Sequence, residues 1–358
     1  MLVTVISFLL VLGVLVFIHE FGHYIVAKKT GIKVEEFALG FGPKLFSRKK
    51  DETVYSIRII PLGGFCNMAG EFIPDDDLEG EERQKYEQAE KEGKCFHQKS
   101  ALTRFLVVFM GPAMNFLLAA VIFILVYSAY GLPVAAPEST IIGGLEPGQP
   151  AAEAGLEPGD EIRAINDREV ADWEQVSSLI RQNEAGSDII VTVDRDGKIK
   201  HFTVATVYNK NIGETYIGIY GDVVREKISI FRSIKLGIHD TWQLAYLIVN
   251  GLMEMITGQM PLELAGPIMM ASFVGQAARV GLVNLLNLMA FISINLGLIN
   301  LLPVPALDGG RIMFIIVEVL RGKPVDPKKE GFVHLIGFVL LMLLMVFVIY
   351  QDIVRNVF

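Results

Sequence analysis

The chain has 358 residues, 52% of them hydrophobic, with a mean hydropathy of +0.44. It is too apolar for an ordinary soluble enzyme, and its length suits two or three structural units. A formal net charge of −8 leaves no basic face, which excludes nucleic acid as a partner.

The first element is an apolar run, about Leu2 to Ala27, with no charged side chain before His19. It is long enough to cross a bilayer. It has no basic start and no small-residue cleavage site, so it is expected to be retained rather than cleaved as a signal peptide. Its inner end reads Ile18-His19-Glu20-Phe21-Gly22-His23-Tyr24. On a helix His19 and His23 are four residues apart and share a face. Two imidazoles at that spacing can bind one zinc ion, with Glu20 beside it as general base for a water. Ionisable groups inside a membrane helix are costly, so they point to a functional site. The competing reading makes them capping groups at the membrane surface, or structural histidines.

The loop that follows holds Lys28, Lys29, Lys33, Lys44, Arg48, Lys49 and Lys50, and Lys99 and Arg104 precede the next apolar run. By the positive-inside rule this loop is cytosolic, and both termini and the central region lie outside. Glu52 to Gly70 begins with β-branched alternation and is punctuated by Pro61 and Gly63-Gly64. That predicts a strand or hairpin, apolar enough to dip into the membrane against the first helix. The segment Thr53 to Met68 is a candidate to receive an unwound substrate as an added strand, with Gly63 and Gly64 as candidate substrate-contact residues. Pro74 to Lys99 alternates acidic and basic residues and reads as a solvated helix or flexible segment. Cys66 and Cys95 fall in this same loop, so reduced thiols are expected.

A second span runs from about Phe105 to Tyr130 and contains Gly111-Pro112-Ala113-Met114-Asn115. The small residues predict close helix packing, with Asn115 hydrogen-bonding across it. From Pro137 to Tyr208 the composition is that of a soluble domain. Ile141–Leu145 and Glu161–Ile165 read as strands, Gln149–Leu156 as a short helix and Trp173–Gln182 as an amphipathic helix. Ile189–Val193 and His201–Val207 form a hairpin around Asp196-Gly197. The phrase Pro147-Gly148-Gln149-Pro150 through Pro158-Gly159-Asp160-Glu161-Ile162 resembles PDZ domains of bacterial proteases. Such a domain either binds a peptide as an added strand or serves as a steric module.

Ile228 to Met260 carries a helical pattern expected to lie along the outer surface, and Leu264-Ala265-Gly266-Pro267-Ile268 breaks it. The third span, about Leu282 to Leu302, runs into Asn300-Leu301-Leu302-Pro303-Val304-Pro305-Ala306-Leu307-Asp308-Gly309-Gly310-Arg311. A tetrahedral zinc site needs a third protein ligand. Asp308 stands at the proline break, at the same end of its span as the two histidines. It could instead cap a helix starting at Gly309. The fourth span is about Val333 to Tyr350.

His-Glu-Phe-Gly-His, Gly-Pro-Ala-Met-Asn and Asn-Leu-Leu-Pro-Val-Pro-Ala-Leu-Asp-Gly-Gly together resemble the site-2 proteases, intramembrane zinc metalloproteases. The resemblance implies His19, His23 and Asp308 as Zn2+ ligands and Glu20 as catalytic base. Asn295 and Asn300 match family asparagines that could bond substrate backbone or the oxyanion, or simply another helix. The implied fold is an α-helical polytopic membrane protein with about four transmembrane helices, a membrane-associated β-hairpin and one inserted α+β PDZ domain. The expected division is 1–136, 137–208 (PDZ), 209–280 (linker and amphipathic helices) and 281–358. The implied setting is the bacterial cytoplasmic membrane, and the implied partners are transmembrane segments of anti-sigma factors or remnant signal peptides. Three alternatives compete: a non-proteolytic scaffold or receptor with a structural zinc, a metal transporter, and a zincin whose third ligand is Glu35 or Glu36.

Overall fold

The computed structural model describes residues 2–71, 80–209, 213–259, 266–323 and 325–357. Residues 74–79 of the charged stretch and 264–265 of the break before the third span lie outside the described residues. In chain order the elements are α1 (Leu2–Lys29), β1 (Val34–Lys50), β2 (Thr53–Met68), α2 (Glu81–Lys91), α3 (Ala101–Tyr130), β3 (Leu132–Ala135), β4 (Ile142–Leu145), α4 (Pro150–Glu153), β5 (Glu161–Ile165), β6 (Arg168–Glu169) and α5 (Trp173–Arg181). Then follow β7 (Asp188–Arg195), β8 (Lys198–Ala205), β9 (Val207–Asn209), β10 (Glu214–Tyr216), β11 (Ile219–Gly221), β12 (Val223–Glu226), α6 (Ile230–Ile256), α7 (Pro267–Val280), α8 (Leu282–Leu301), α9 (Asp308–Arg321) and α10 (Pro327–Val357). Two compact units result, Met1–Tyr127 with Ser229–Phe358, and Ser128–Ile228.

In the first unit α1, α3, α8 and most of α10 are long and apolar enough to cross a membrane. The chain is a multi-pass helical membrane protein. Val11 and Leu15 of α1, Ala119 and Ile122 of α3, and Met289, Ala290 and Ile294 of α8 form its buried centre. Glycines let the backbones meet, as expected where lipid supplies no hydrophobic drive and close packing must hold helices together. A Cβ on Gly22 would overlap the Met110 carbonyl of α3, and one on Gly275 would meet Thr4. On α6 the buried residues are Ser233, Gly237, Thr241 and Ala245, while Trp242 is 78% exposed. Small residues inward let α6 pack closely on its neighbours, while its large apolar residues face outward; α6 is not among the four helices apolar enough to span.

β1 and β2 form one long hairpin, closed at Asp51-Glu52, that folds back on itself. Glu36, Phe37, Ala38 and Leu39 face Asn67, Cys66, Phe65 and Gly64 in antiparallel order. On their other side the same four residues meet Val54, Tyr55, Ser56 and Ile57 in ascending order. Residues 54–57 also pair with 49–46, so they are interior to the sheet. The strand that ends the sheet on the opposite side is Gly64–Met68. This corrects the expectation that all of Thr53 to Met68 offers an edge. The fold-back is made at Gly40 and Gly42, both at positive φ, and opposite them at Pro61 and Gly63.

The second unit is the PDZ-like one. Its sheet runs β6-β5-β7-β8, all antiparallel, and α5 is capped by Asp172, which accepts from the Gln175 N–H at 2.8 Å. Ile162, Val176, Ile189, Val191 and Val204 are its buried core. Ile217 belongs to that core at 1% exposure, and β3 pairs with β12. The compact unit therefore reaches beyond 137–208 on both sides, because strands too short to read from sequence close it. Asp160 is 1% exposed, and Arg195 donates to both its oxygens at 2.5 and 2.7 Å. Burial opposes its charge, but the guanidinium prevails and holds the carboxyl below its ordinary range.

Two glycines on α1 separate packing from propensity. Gly22→Ala is expected to lower the thermal midpoint in detergent, on the order of 1–3 kcal/mol of overpacking. Gly13→Ala, with nothing within 4 Å of the added carbon, is expected to leave the midpoint unchanged or raise it.

Candidate active site

α1 delivers His19 and His23 one turn apart, 8% and 7% exposed. α3 fixes how each ring faces. The Nδ1–H of His23 donates to the Val107 carbonyl at 2.9 Å, leaving the Nε2 lone pair free. The ring lies flat against Gly111, where any Cβ would overlap it. Pro112 sits inside α3 and removes one rung of the ladder at this turn. Asn115, with no exposed surface, brings its amide 3.1 Å from His19 Nδ1, and Ser293 Oγ of α8 donates to the Asn115 carbonyl at 2.8 Å. With Nε2 of His19 used as a ligand, Nδ1 carries the hydrogen and donates to an oxygen. The Asn115 amide is therefore read with Oδ1 toward His19, which also gives that otherwise unpartnered oxygen a donor. The Gly-Pro-Ala-Met-Asn motif packs helices, as its small residues predict, and also orients both imidazoles.

Asp308 arrives from the far side. α8 stops at Leu302, and Pro303 and Pro305 prevent it from continuing. A Cβ on Gly309 would overlap the Leu301 and Leu302 carbonyls, and one on Gly310 the Val304 carbonyl, so the re-entry into α9 requires both glycines. Asp308 is the first residue of α9 and not its cap; the cap position is Leu307, without a side-chain bond. The carboxylate is thus free of the helix end.

Asp308 Oδ2 lies 3.1 Å from His19 Nε2 and 3.5 Å from His23 Nε2, and the two nitrogens are 3.3 Å apart. Yet Oδ2 is buried without a hydrogen-bond partner among the described residues. Bonds of about 2.0–2.2 Å meeting at the tetrahedral angle put donor atoms about 3.3–3.5 Å apart. The three atoms fit one face of a zinc tetrahedron, and a cation accounts for an orphaned oxygen beside two lone pairs. Among the described residues this is the one group of three such donors.

Glu20 lies between the histidines and lines the same cavity of about 490 Å3. So do Gly63, Gly64 and the edge strand to Met68. Gly64 is pressed against the Ala38 carbonyl, Val16 and Glu20, which explains its lack of a side chain. Asn300 lines the cavity, whereas Asn295 is not among its lining residues. Glu36 is engaged by Ser56 at 2.5 Å, Arg58 at 2.8 Å and Lys44 at 3.1 Å. Burial works against its charge, but these partners hold its carboxyl below the ordinary range. Glu35 lies 3.9 Å from Lys33, and neither glutamate joins the donor group. Cys66 also lines the cavity, but burial, with Glu20 and Glu71 nearby, pushes its thiol up, so it offers no thiolate at neutral pH. Both cysteines are free.

Sequence reasoning gave no role to Glu71 and Arg311. They form an ion pair on the cavity wall, and Glu71 Oε2 also accepts from the Met68 N–H at 3.2 Å. The pair ties the end of the edge strand to the helix that carries Asp308. The one available signal was an arginine a turn after the aspartate in Asp-Gly-Gly-Arg.

The model of peptidase family M50 matches residues 7–344. The chain is 38% identical to zinc metalloprotease RasP of Geobacillus kaustophilus, over 98% of this chain and 97% of that one. It is 35% identical to the regulator of sigma-W protease RasP of Bacillus subtilis, over 98% of each. It is 37% identical to a putative zinc metalloprotease of Clostridium acetobutylicum, over 97% of this chain and 96% of that one. The PDZ domain of the SdrC-like protein of Listeria monocytogenes aligns with 25% of this chain and 92% of its own at 18% identity, with a TM-score of 0.22.

Asn115 touches the candidate donor set through His19. Asn115→Leu is expected to weaken zinc affinity about 10–100-fold in a competition titration with a chelator, without unfolding the protein. Glu36→Gln is expected to leave zinc affinity unchanged.

Proposed function

Because this chain belongs to peptidase family M50, the site-2 proteases, we propose that it hydrolyses peptide bonds within transmembrane segments of single-span membrane proteins. It is a metalloprotease whose cofactor is zinc. The observation that carries the intramembrane reading is the convergence of His19, His23 and Asp308 on one cavity from two helical segments that flank or form candidate spans. In the proposed site these three residues hold the zinc. Bound there, the ion would supply Lewis-acid polarisation of a carbonyl and a lowered pKa for a water.

Glu20 is the general base. It faces the same cavity as the three donors and is positioned to take a proton from the attacking water and pass it to the leaving amine. Val107 and Asn115 keep each imidazole in the tautomer that leaves Nε2 free.

A transmembrane helix hides its peptide bonds in its own hydrogen bonds, so the substrate must unwind before cleavage. The edge strand Gly64–Met68 meets this need. It lines the cavity, and alternate backbone groups of an edge strand point away from the sheet, ready to pair with an extended chain. Asn300 offers an amide to the same cavity. Water enters this polar cavity from the cytosolic side, consistent with the lysines of α1 and β1. The termini and the PDZ unit then lie outside, in the cytoplasmic membrane of a bacterium. By analogy with a relative named for sigma-W regulation, the substrates are anti-sigma factors, with remnant signal peptides a second class.

Glu20→Gln is expected to retain zinc and lose cleavage of a single-span reporter by at least about 100-fold. Turnover by the zinc-loaded mutant would remove Glu20 as base. Proline scanning tests the strand. Of Phe65→Pro, Cys66→Pro and Asn67→Pro, the one whose N–H faces the cavity should slow cleavage with zinc and folding intact. Replacements from Tyr55 to Ile59 should instead disrupt the sheet, since those residues lie in its interior strand or at the fold-back.

A further inference from the structure

The segment that carries Asp308 into the site has no regular structure of its own between Leu302 and Asp308. Ala306, two residues before the carboxylate, has φ of 75°. That is the left-handed region, which alanine adopts only at a cost on the order of 1 kcal/mol. Such a conformation persists only when neighbours impose it. The neighbour is α10. The N–H of Ala306 donates to Nδ1 of His334 at 2.9 Å. One turn further on, a Cβ at Gly337 would lie 2.5 Å from the Pro305 carbonyl oxygen, so the α10 backbone rests directly on this loop. Phe314 of α9 closes the other side, its ring 5.4 Å from that of His334.

His334 is 9% exposed, and its Nε2 makes no hydrogen bond among the described residues, with the Glu330 carboxylate 3.9 Å away. A nearly buried imidazole in a candidate span, with one nitrogen not hydrogen-bonded, is an expensive choice where leucine would pack. Its one well-made hydrogen bond is to the loop. Since Nδ1 accepts, the ring hydrogen sits on Nε2.

The geometry points to His334 as a positioning residue, whose Nδ1 pins the Ala306 N–H and so sets where Asp308 presents its carboxylate. It does not touch substrate or the donor atoms. This inference rests on the reading of Asp308 as a zinc ligand.

The test uses the full chain in detergent, with zinc affinity by chelator competition, the visible spectrum of the cobalt-substituted protein, and the thermal midpoint. The side-chain oxygen of asparagine can take the place of Nδ1, whereas glutamine sets its polar atoms a bond further out. His334→Asn should keep zinc affinity within about threefold and the cobalt spectrum unchanged. His334→Gln and His334→Leu should lose about tenfold or more and shift the spectrum, in the range seen when a group supporting a metal ligand is removed. Equal behaviour of the asparagine and glutamine variants would overturn the inference, and that comparison stands even where the leucine variant fails to fold. Wild-type affinity in His334→Leu, with Asp308→Ala having lost zinc, would also overturn it while leaving the ligand reading intact. Zinc retained by Asp308→Ala would instead end the ligand reading, and this inference with it.

Discussion

Two imidazole nitrogens and a carboxylate oxygen, held 3.1 to 3.5 Å apart and largely out of bulk water, form a donor set that one shared cation would satisfy. The rest of the first unit answers that constraint. α1 supplies the two nitrogens on one face. α3 supplies the carbonyl and the amide that hold their rings. The broken end of α8 and the start of α9 supply the oxygen. Such a site is of use only if these elements come close enough, and the glycines at 22, 111, 309 and 310 are where a single added carbon would hold them apart. The same close packing lets a membrane protein keep polar groups at its centre, because lipid would leave them unsatisfied.

The β-hairpin adds a second requirement. A strand edge inside a cavity is a liability in most proteins, since unpaired backbone groups attract whatever is extended nearby. In the proposed reaction that property becomes useful. The edge Gly64–Met68 lies beside Glu20, and its far end is held by Glu71, which Arg311 of the Asp308-bearing helix grips in turn. This ion pair ties the edge strand to the Asp308-bearing helix, although the two residues stand 240 apart in the chain, and Gly64 packs directly on Val16 and Glu20 of α1.

Much of this was legible from local pattern. The His-Glu-x-x-His spacing, the proline-bounded Asp308 and the four apolar runs each depend on residues close in sequence. The PDZ strand Glu161–Ile165 emerged with the expected limits and the next helix with the expected start at Trp173, because alternation and an Asp cap define them locally. What stayed hidden depends on partners far along the chain. Asn115 meets His19 across 96 residues. The break at Leu264 to Ile268 leads into α7, whose start depends on Asp352 of α10, which accepts from the Ile268 and Met269 N–H groups 84 and 83 residues away. The basic tract from Lys44 to Lys50 reads from sequence only as part of the cytosolic loop, and its register with residues 53–58 reveals it as strand. Ile217 could not be assigned to the PDZ core from sequence, since strands of three residues carry no period.

The central claim concerns where one ion sits, and anomalous scattering measured at the zinc edge from crystals of the zinc-loaded protein tests it most directly. The account predicts a single strong peak about 2.0–2.2 Å from His19 Nε2, His23 Nε2 and an oxygen of Asp308. A peak coordinated by the histidines with Asp308 out of reach, or one centred on other residues such as Glu36, would contradict it.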